Sequence, residues 1–323
     1  MRHLTLLRRV APFLLVFAGG LQTVYADVFV SSEKDNAIVQ LDADGNWRKT
    51  YPVCLRPRHM AWAPSHQGLF IACGDSDEIA LLDLKSGVLT DHIPTGESPE
   101  IFDLSPDAKT AYVSIEDGSQ LAAYDLGSHK PLFSVKTGAE PEGVKVAPDG
   151  KRVYVTSEVA NTVYAVDLAQ RKIVGQVKAG MRPRRFAITP DGATLWVSNE
   201  MGSSVAIIDT ASMQLKQTLG FTVTGMRNTD ITPVGMVMSP DGKTLWVALG
   251  RANHVAEVDV ASRTVRGLVL VGKRAWGLGL SPDGNRLYVA NGLSDDLTII
   301  DASTRKPLRT VPVGRQPHSV LVN

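Results

Sequence analysis

The chain reads as short runs of β-branched and aromatic residues separated by turn residues. Residues 152–192 show the unit most plainly. Arg152-Val153-Tyr154-Val155-Thr156 is followed by Asn161-Thr162-Val163-Tyr164-Ala165-Val166-Asp167 and, after the turn Leu168-Ala169-Gln170-Arg171, by Lys172-Ile173-Val174-Gly175-Gln176-Val177. Pro183 opens a fourth run, Arg185-Phe186-Ala187-Ile188-Thr189, which ends in Pro190-Asp191-Gly192. Thr-Pro-Asp-Gly suits a type I turn, with proline at its second position and glycine at its fourth. Four such runs punctuated by turns predict one four-stranded antiparallel sheet.

The unit recurs along the whole chain. The aromatic at the heart of one strand returns as Phe29, Phe70, Tyr112, Tyr154, Trp196, Trp246 and Tyr288, 41 or 42 residues apart except for a 50-residue step from Trp196 to Trp246. An aspartate closing an apolar run keeps the same beat at Asp42, Asp83, Asp125, Asp167, Asp209, Asp259 and Asp301. Pro-Asp-Gly begins at Pro148, Pro190, Pro240 and Pro282 and is degraded at Pro106 and Pro64. A strand-built period of about 40–45 residues is that of a propeller blade. The fold expected is all-β: a seven-bladed propeller of four-stranded antiparallel blades, a single domain over residues 27–323. The first blade begins with its second strand, Asp27 to Ser31, and the chain ends on an innermost strand, Ser319 to Asn323. The last strand must therefore complete the first sheet and close the ring without an open edge. The strand aromatics should fill the space between neighbouring sheets. The aspartates should accept backbone hydrogen bonds at turns rather than hold metal.

Charge and composition add a compartment. The chain of 323 residues is 44% apolar and 21% charged, and its length alone would allow two domains, which the repeat overrides. Arg2, Arg8 and Arg9 precede an apolar stretch from Val10 to Leu21, and Val24-Tyr25-Ala26 offers a cleavage position. That is the layout of a secretory signal peptide over residues 1–26, with an uncleaved anchor as the alternative. The stretch falls short of the ~20 residues that span a bilayer comfortably. Cleavage after Ala26 leaves 31 basic and 33 acidic side chains, a formal −2, without the basic footprint of a nucleic-acid binder. The expected location is periplasmic or secreted, with no membrane span in the mature chain. In such a compartment Cys54 and Cys73 are candidates for a disulfide, with separate buried thiols as the alternative.

Alternating strand direction brings two loop sets to one face, those entering each innermost strand and those joining the second and third strands. Residues flanking a recurrent proline then ring the mouth of the central channel: Arg56, Arg58, Glu100, Glu140, Glu142, Arg182, Arg184, Arg274, Trp276 and His318. Four glutamates spaced four residues after the strand aromatic, Glu33, Glu116, Glu158 and Glu200, reach the same face, as does the long insertion between Phe221 and Thr232. Several arginine forks around one mouth suit a multiply carboxylated ligand, with Trp276 as a stacking wall. One alternative is that the arginines pair with Glu100, Glu140 and Glu142 as solvated rim charges, each pair contributing about 0–1 kcal/mol. The other is a protein-docking surface.

The repeats resemble the YVTN family of seven-bladed propellers, and Leu287-Tyr288-Val289-Ala290-Asn291 is close to its signature. Within that family the chain is similar to the secreted propellers associated with catabolism through pyrroloquinoline quinone (PQQ)-dependent alcohol oxidation. The resemblance implies a non-catalytic binding or accessory protein. It would hold PQQ or another anionic small molecule, or dock on a periplasmic dehydrogenase or cytochrome, with no cofactor of its own. PQQ dehydrogenases themselves have eight blades and tryptophan-bearing docking motifs that these repeats lack. Other propellers of similar repeat type hydrolyse lactones or act as lyases with a metal at the mouth, where Glu142, His59 and His318 are the ligands on offer. No catalytic residue stands out. There is no Cys-x-x-Cys-His for haem attachment and no Gly-x-Ser-x-Gly nucleophile elbow.

Overall fold

The computed structural model describes residues 27–323, so the expected signal peptide lies outside the described residues. Seven four-stranded antiparallel sheets are arranged as a ring. Blade 1 is assembled from both ends of the described chain, in the order Pro317–Val322, Asp27–Ser32, Ala37–Asp42 and Trp47–Pro52. Blades 2 to 5 follow at 57–94, 99–136, 141–178 and 183–220, blade 6 at 236–270 and blade 7 at 275–312. At the seam Val28 pairs with Val322, Phe29 with Leu321 and Val30 with Val320. The closure expected from the strand count is present.

Burial grades outward through each blade. The second strand of blade 2, Gly68–Cys73, is buried at every position, whereas the outermost strand of blade 4, Lys172–Lys178, alternates between exposed and half-buried. The strand aromatics lie where neighbouring sheets meet. Trp196 of blade 5 packs with Leu245 and Val247 of blade 6, and Tyr288 of blade 7 with Val30 and Leu41 of blade 1. Full burial of a large apolar side chain contributes about 1.5–3 kcal/mol. The Tyr288 hydroxyl donates across the same boundary to the Ala43 carbonyl at 3.0 Å, so its polar end is satisfied as well. The recurrent aspartates act at turns: Asp42 Oδ1 accepts from the Asn46 amide at 2.8 Å, Asp125 from Ser128 at 2.7 Å and Asp301 from Thr304 at 2.8 Å.

The innermost strands decide what faces the channel. In blades 2, 3, 4, 5 and 7 the register slips by one residue just inside the strand, between Pro57 and Met60, Pro99 and Phe102, Pro141 and Val144, Pro183 and Phe186, and Ala275 and Leu278. Such bulges re-aim side chains and strengthen local twist. Neighbouring blades also approach closely here. A Cβ on Gly143 or Gly277 would sit 2.1 Å from the carbonyl oxygen of Arg184 or His318, which excludes any larger residue without a backbone shift. Blade 6 differs, because its innermost strand is only Met236–Met238 and the insertion before it forms a short 3-10 turn at Asn228–Asp230.

Cys54 and Cys73 are bonded, with their Cα atoms 5.7 Å apart, tying the loop that enters blade 2 to the end of that blade's second strand. Among the described residues no helix is long and apolar enough to cross a membrane.

Candidate functional site

The loops entering the innermost strands hold the mouth residues by one repeated device. The residue before each proline position takes a left-handed backbone, with φ of 53° at Arg56, 54° at Arg182, 60° at Arg274 and 54° at Gln316. Non-glycine residues adopt this region at some cost. The cost is offset by a side-chain acceptor from the neighbouring turn. Asn36 accepts the Arg56 amide at 3.0 Å, Asn161 that of Arg182 at 2.8 Å, Asn253 that of Arg274 at 2.8 Å and Asp295 that of Gln316 at 2.9 Å. The arginines are thus anchored at their backbones on the same face.

Just inside this ring, each blade contributes one residue to a partition across the channel: Arg58, Glu100, Glu142, Arg184, Trp276 and His318 from innermost strands, and Val234 from the segment just before that of blade 6. Glu142 is buried, 3.4 Å from Arg184 and 3.8 Å from Arg58, and accepts a hydrogen bond from Arg185. Glu100, 1% exposed, is bound by both Arg56 and Arg58. Arg184 also meets Glu158, and Arg182 bridges Glu158 at 2.7 Å and Glu200 at 3.2 Å. Burial opposes charge on Glu142, yet the adjacent guanidiniums of Arg184, Arg185 and Arg58 outweigh it and hold this carboxyl down at about 2. Burial, with the charge of Glu142 beside it, pushes Glu100 up to about 8, and burial pushes Glu158 up to about 7. His318 is buried among Arg58, Arg184 and Arg185 and pushed well below the usual histidine range. As a neutral ring its Nε2 accepts from Arg185 at 3.2 Å.

Above the partition lies a cavity of about 220 Å³. Its charged lining is Arg58, Arg182, Arg184, Arg251 and Arg274 against Glu33 and Glu200, with Gln316, Trp276 and His318 completing the polar wall. Neither Arg251 nor Arg274 forms an ion pair among the described residues. Arg274 instead lies 4.3 Å from the centre of the Trp276 ring and Arg184 5.3 Å from it, a cation–π arrangement that orients both guanidiniums. Burial moves the Arg274 pKa downward from its ordinary value, so its charge is incompletely compensated there. The indole nitrogen of Trp276, itself buried, donates to nothing in the protein. Guanidiniums without a carboxylate partner on a cavity wall are chemically suited to an anion.

Below the partition is a second cavity of about 180 Å³, lined by His59, Phe102, Asp103, Lys145, Arg185 and Ser319 among others. Lys145 is paired with Asp103 at 2.8 Å. Burial and nearby Arg185 push His59 down to about 4, so it is uncharged near neutrality.

The structure gathers Arg58, Arg182, Arg184, Arg274, Trp276 and His318 around one cavity. It corrects the sequence reading at several points. Arg56 does not line that cavity but lies between Glu100 and Asp75, 3.0 Å from the latter. Glu100 and Glu142 are not solvated rim charges, because the bulge carries them inward to be buried, and Glu140 remains exposed outside the network. Trp276 is not a free stacking wall, since two guanidiniums already lie over its ring. Glu142, His59 and His318 do not converge as a metal centre: among the described residues no group of three or more His, Cys, Asp and Glu side chains is placed to hold an ion. Arg185 and Arg251 were missed. Arg185 reads as an ordinary strand residue until the bulge turns it to the channel, and Arg251 sits in the turn after the second strand of blade 6, one residue beyond the position that in four other blades carries glutamate and here is Gly250.

Comparison with known proteins places the fold. Hydrazine synthase from Kuenenia stuttgartiensis superposes with a TM-score of 0.76 at 24% identity over 84% of this chain and 91% of that one. A periplasmic gluconolactonase from Pseudomonas aeruginosa gives 0.74 at 20% identity over 92% and 98%. A structure described as a putative 6-phosphogluconolactonase from Bacteroides fragilis gives 0.76 at 16% identity over 94% and 99%. At these identities the likeness is one of fold. Among curated proteins none matches the chain. A family model does match, over residues 27–280, and by that match together with its seven blades the chain belongs to the YNCE-like beta-propeller family.

Proposed function

We propose that this protein binds a carboxylate- or phosphate-bearing small molecule in the cavity above the partition, as a periplasmic or secreted binding protein without a catalytic centre of its own. The observation that carries the reading is the two guanidiniums of that cavity, Arg251 and Arg274, that no carboxylate pairs among the described residues. Arg182, Arg251 and Arg274 are the ligand-contacting cations, and Trp276 holds Arg274 in place while offering its N–H. Contacts beneath reach from blade 2 to blade 4 and from blade 1 to blade 5, so the ligand is expected to enter and leave by the mouth. PQQ, with three carboxylates, is the first probe because of the resemblance to propellers of PQQ-linked alcohol oxidation.

The test is a thermal-shift titration at low salt with PQQ, citrate, succinate and inorganic phosphate. Ligand at 100 times its dissociation constant stabilises the folded state by about 2.7 kcal/mol. The expected result is a saturable shift with at least one polyanion that Arg274→Ala and Arg182→Ala abolish. A shift that survives both substitutions, or none with any polyanion, overturns the reading.

A second reading is lactone hydrolysis, favoured by the two similar structures whose descriptions name gluconolactonases. In that case the arginines would bind the acid formed on ring opening. Release of acid from gluconolactone and its 6-phosphate above the spontaneous rate, lost in Arg274→Ala, would replace binding by catalysis as the conclusion.

A further inference from the structure

The mouth face is polarised, and the polarity extends well beyond the cavity. Exposed acids cluster on the side of blades 2 to 4, at Asp75, Asp77, Glu97, Asp117 and Glu140. The cations Arg182, Arg251, Lys273 and Arg274 lie on the side of blades 5 to 7, where Arg227 is paired with Asp230 and Asp295 is the exposed acid. Exposed apolar side chains of this face follow the basic half, with Leu55 of blade 2 as the exception. Val159, Met181, Met201 and Met226 are exposed in consecutive loops of blades 4 to 6, with Leu293 on blade 7. The Met201 amide donates to the Met181 carbonyl at 3.2 Å, and the Ser203 hydroxyl to the carbonyl of Asn228 in the insertion, so these loops form one connected arc. The loops of the opposite face carry no exposed large apolar residue among the described residues; apart from Leu55 in the mouth loop entering blade 2, the remaining ones lie along outermost strands. Fold stability does not explain apolar groups placed in water on one face only.

From this we infer that the mouth is also a protein-docking surface, whose partner inserts an acidic segment flanked by apolar side chains over blades 4 to 7. Charge complementarity selects the occupant: the acid of the segment meets Arg251 and Arg274, and its apolar flanks meet the methionine arc. Methionine suits such a contact because its unbranched, polarisable side chain adapts to the surface laid on it. The divided charge of the face sets the direction of approach. An anionic membrane is disfavoured because the acidic half of the same face would be pressed against it. The inference rests on the proposed anion site, which the acidic segment of the partner shares with the small molecule.

Selection of a randomised dodecapeptide library, displayed with free C-termini, against the purified protein tests it. Enriched peptides are expected to carry Asp, Glu or a terminal carboxylate beside Leu, Met or Phe. Their affinity should fall at least about tenfold both in Arg251→Ala/Arg274→Ala and in Met181→Ser/Met201→Ser/Met226→Ser, since a few central residues dominate such contacts. The methionines are exposed, so the triple variant should keep the parent melting temperature, which is measured alongside. Peptides without acidic enrichment, or binding untouched by the methionine substitutions, overturn the inference. So does co-sedimentation with phosphatidylglycerol vesicles that equals peptide binding. If polyanions stabilise the protein in the thermal-shift titration while the library yields nothing, the anion site stands and docking falls. If peptides bind through the arc but ignore the arginine variants, the anion site falls.

Discussion

Glu142 shows how one side chain can organise a channel. It is buried among Arg58, Arg184 and Arg185, and among the described residues Arg185 has no other carboxylate partner, whereas Arg58 also pairs with Glu100 and Arg184 with Glu158. Breaking a buried pair by removing one partner typically costs about 3–5 kcal/mol, because the remaining charge is left without a counter-ion. Glu142→Ala should therefore destabilise the protein by that order in a urea titration, whereas Lys243→Ala, which removes an exposed pair with Asp241, should change stability by less than about 1 kcal/mol. The same residues set the pH response. Glu142 lies below its ordinary value, so its contribution is present above about 4.5 and is lost as pH falls toward about 2. Glu100 lies above its ordinary value, so its contribution is fully present below about 4.5 and is lost as pH rises through about 8. Melting temperature measured from pH 5 to 9 should decline toward the alkaline end, and Glu100→Gln, which cannot ionise, should flatten that decline.

Elements carry the site through two constraints, one covalent and one steric. The disulfide joins residues 19 positions apart at the entry to blade 2 and closes a loop that contains Arg56 and Arg58. In the chain-entropy model a closure of this size stabilises the native state by about 3 kcal/mol. Cys54→Ser/Cys73→Ser should lower stability by about that amount while leaving the far side of the mouth, around Arg274, able to bind. The steric constraint is at Gly143 and Gly277, where neighbouring innermost strands nearly touch. Gly277→Ala should cost about 1–3 kcal/mol or more through forced backbone displacement, and it should disturb ligand binding because Gly277 follows Trp276 directly. Fluorescence of the tryptophans during denaturation and titration reads both effects.

At the scale of the whole molecule, ring closure depends on the last strand. Removing residues 317–323 strips Asp27–Ser32 of its inner neighbour, deletes His318 from the partition and takes away the Val322 carbonyl accepting from Trp62. Circular dichroism on heating should show loss of the cooperative transition, not a small shift. The architecture was legible from particular residues: the aromatics fixed the period, the aspartates its phase, and Asp27 with Asn323 the seam. The mouth was legible as a set of positions around the proline of each blade. What was not legible was which side chains would be drawn inward. Alternation along a strand gives Arg184 and Arg185 opposite directions, and only the bulge brings both to the channel. The burial of Glu142 follows from the same displacement, so an acid that reads as a surface partner becomes a structural one.

The bulged inner strands separate heredity of shape from heredity of recognition. Interblade aromatics and turn aspartates hold the ring together without touching the partition, where each blade supplies a single side chain: Val234 from blade 6, Trp276 from blade 7, His318 from the closing strand. Substitutions there can be sampled blade by blade while the rest of each repeat stays under its own constraints. A lineage built this way changes its chemistry at one position per blade, with the ion-paired positions Arg58, Glu100, Glu142 and Arg184 constrained to change together.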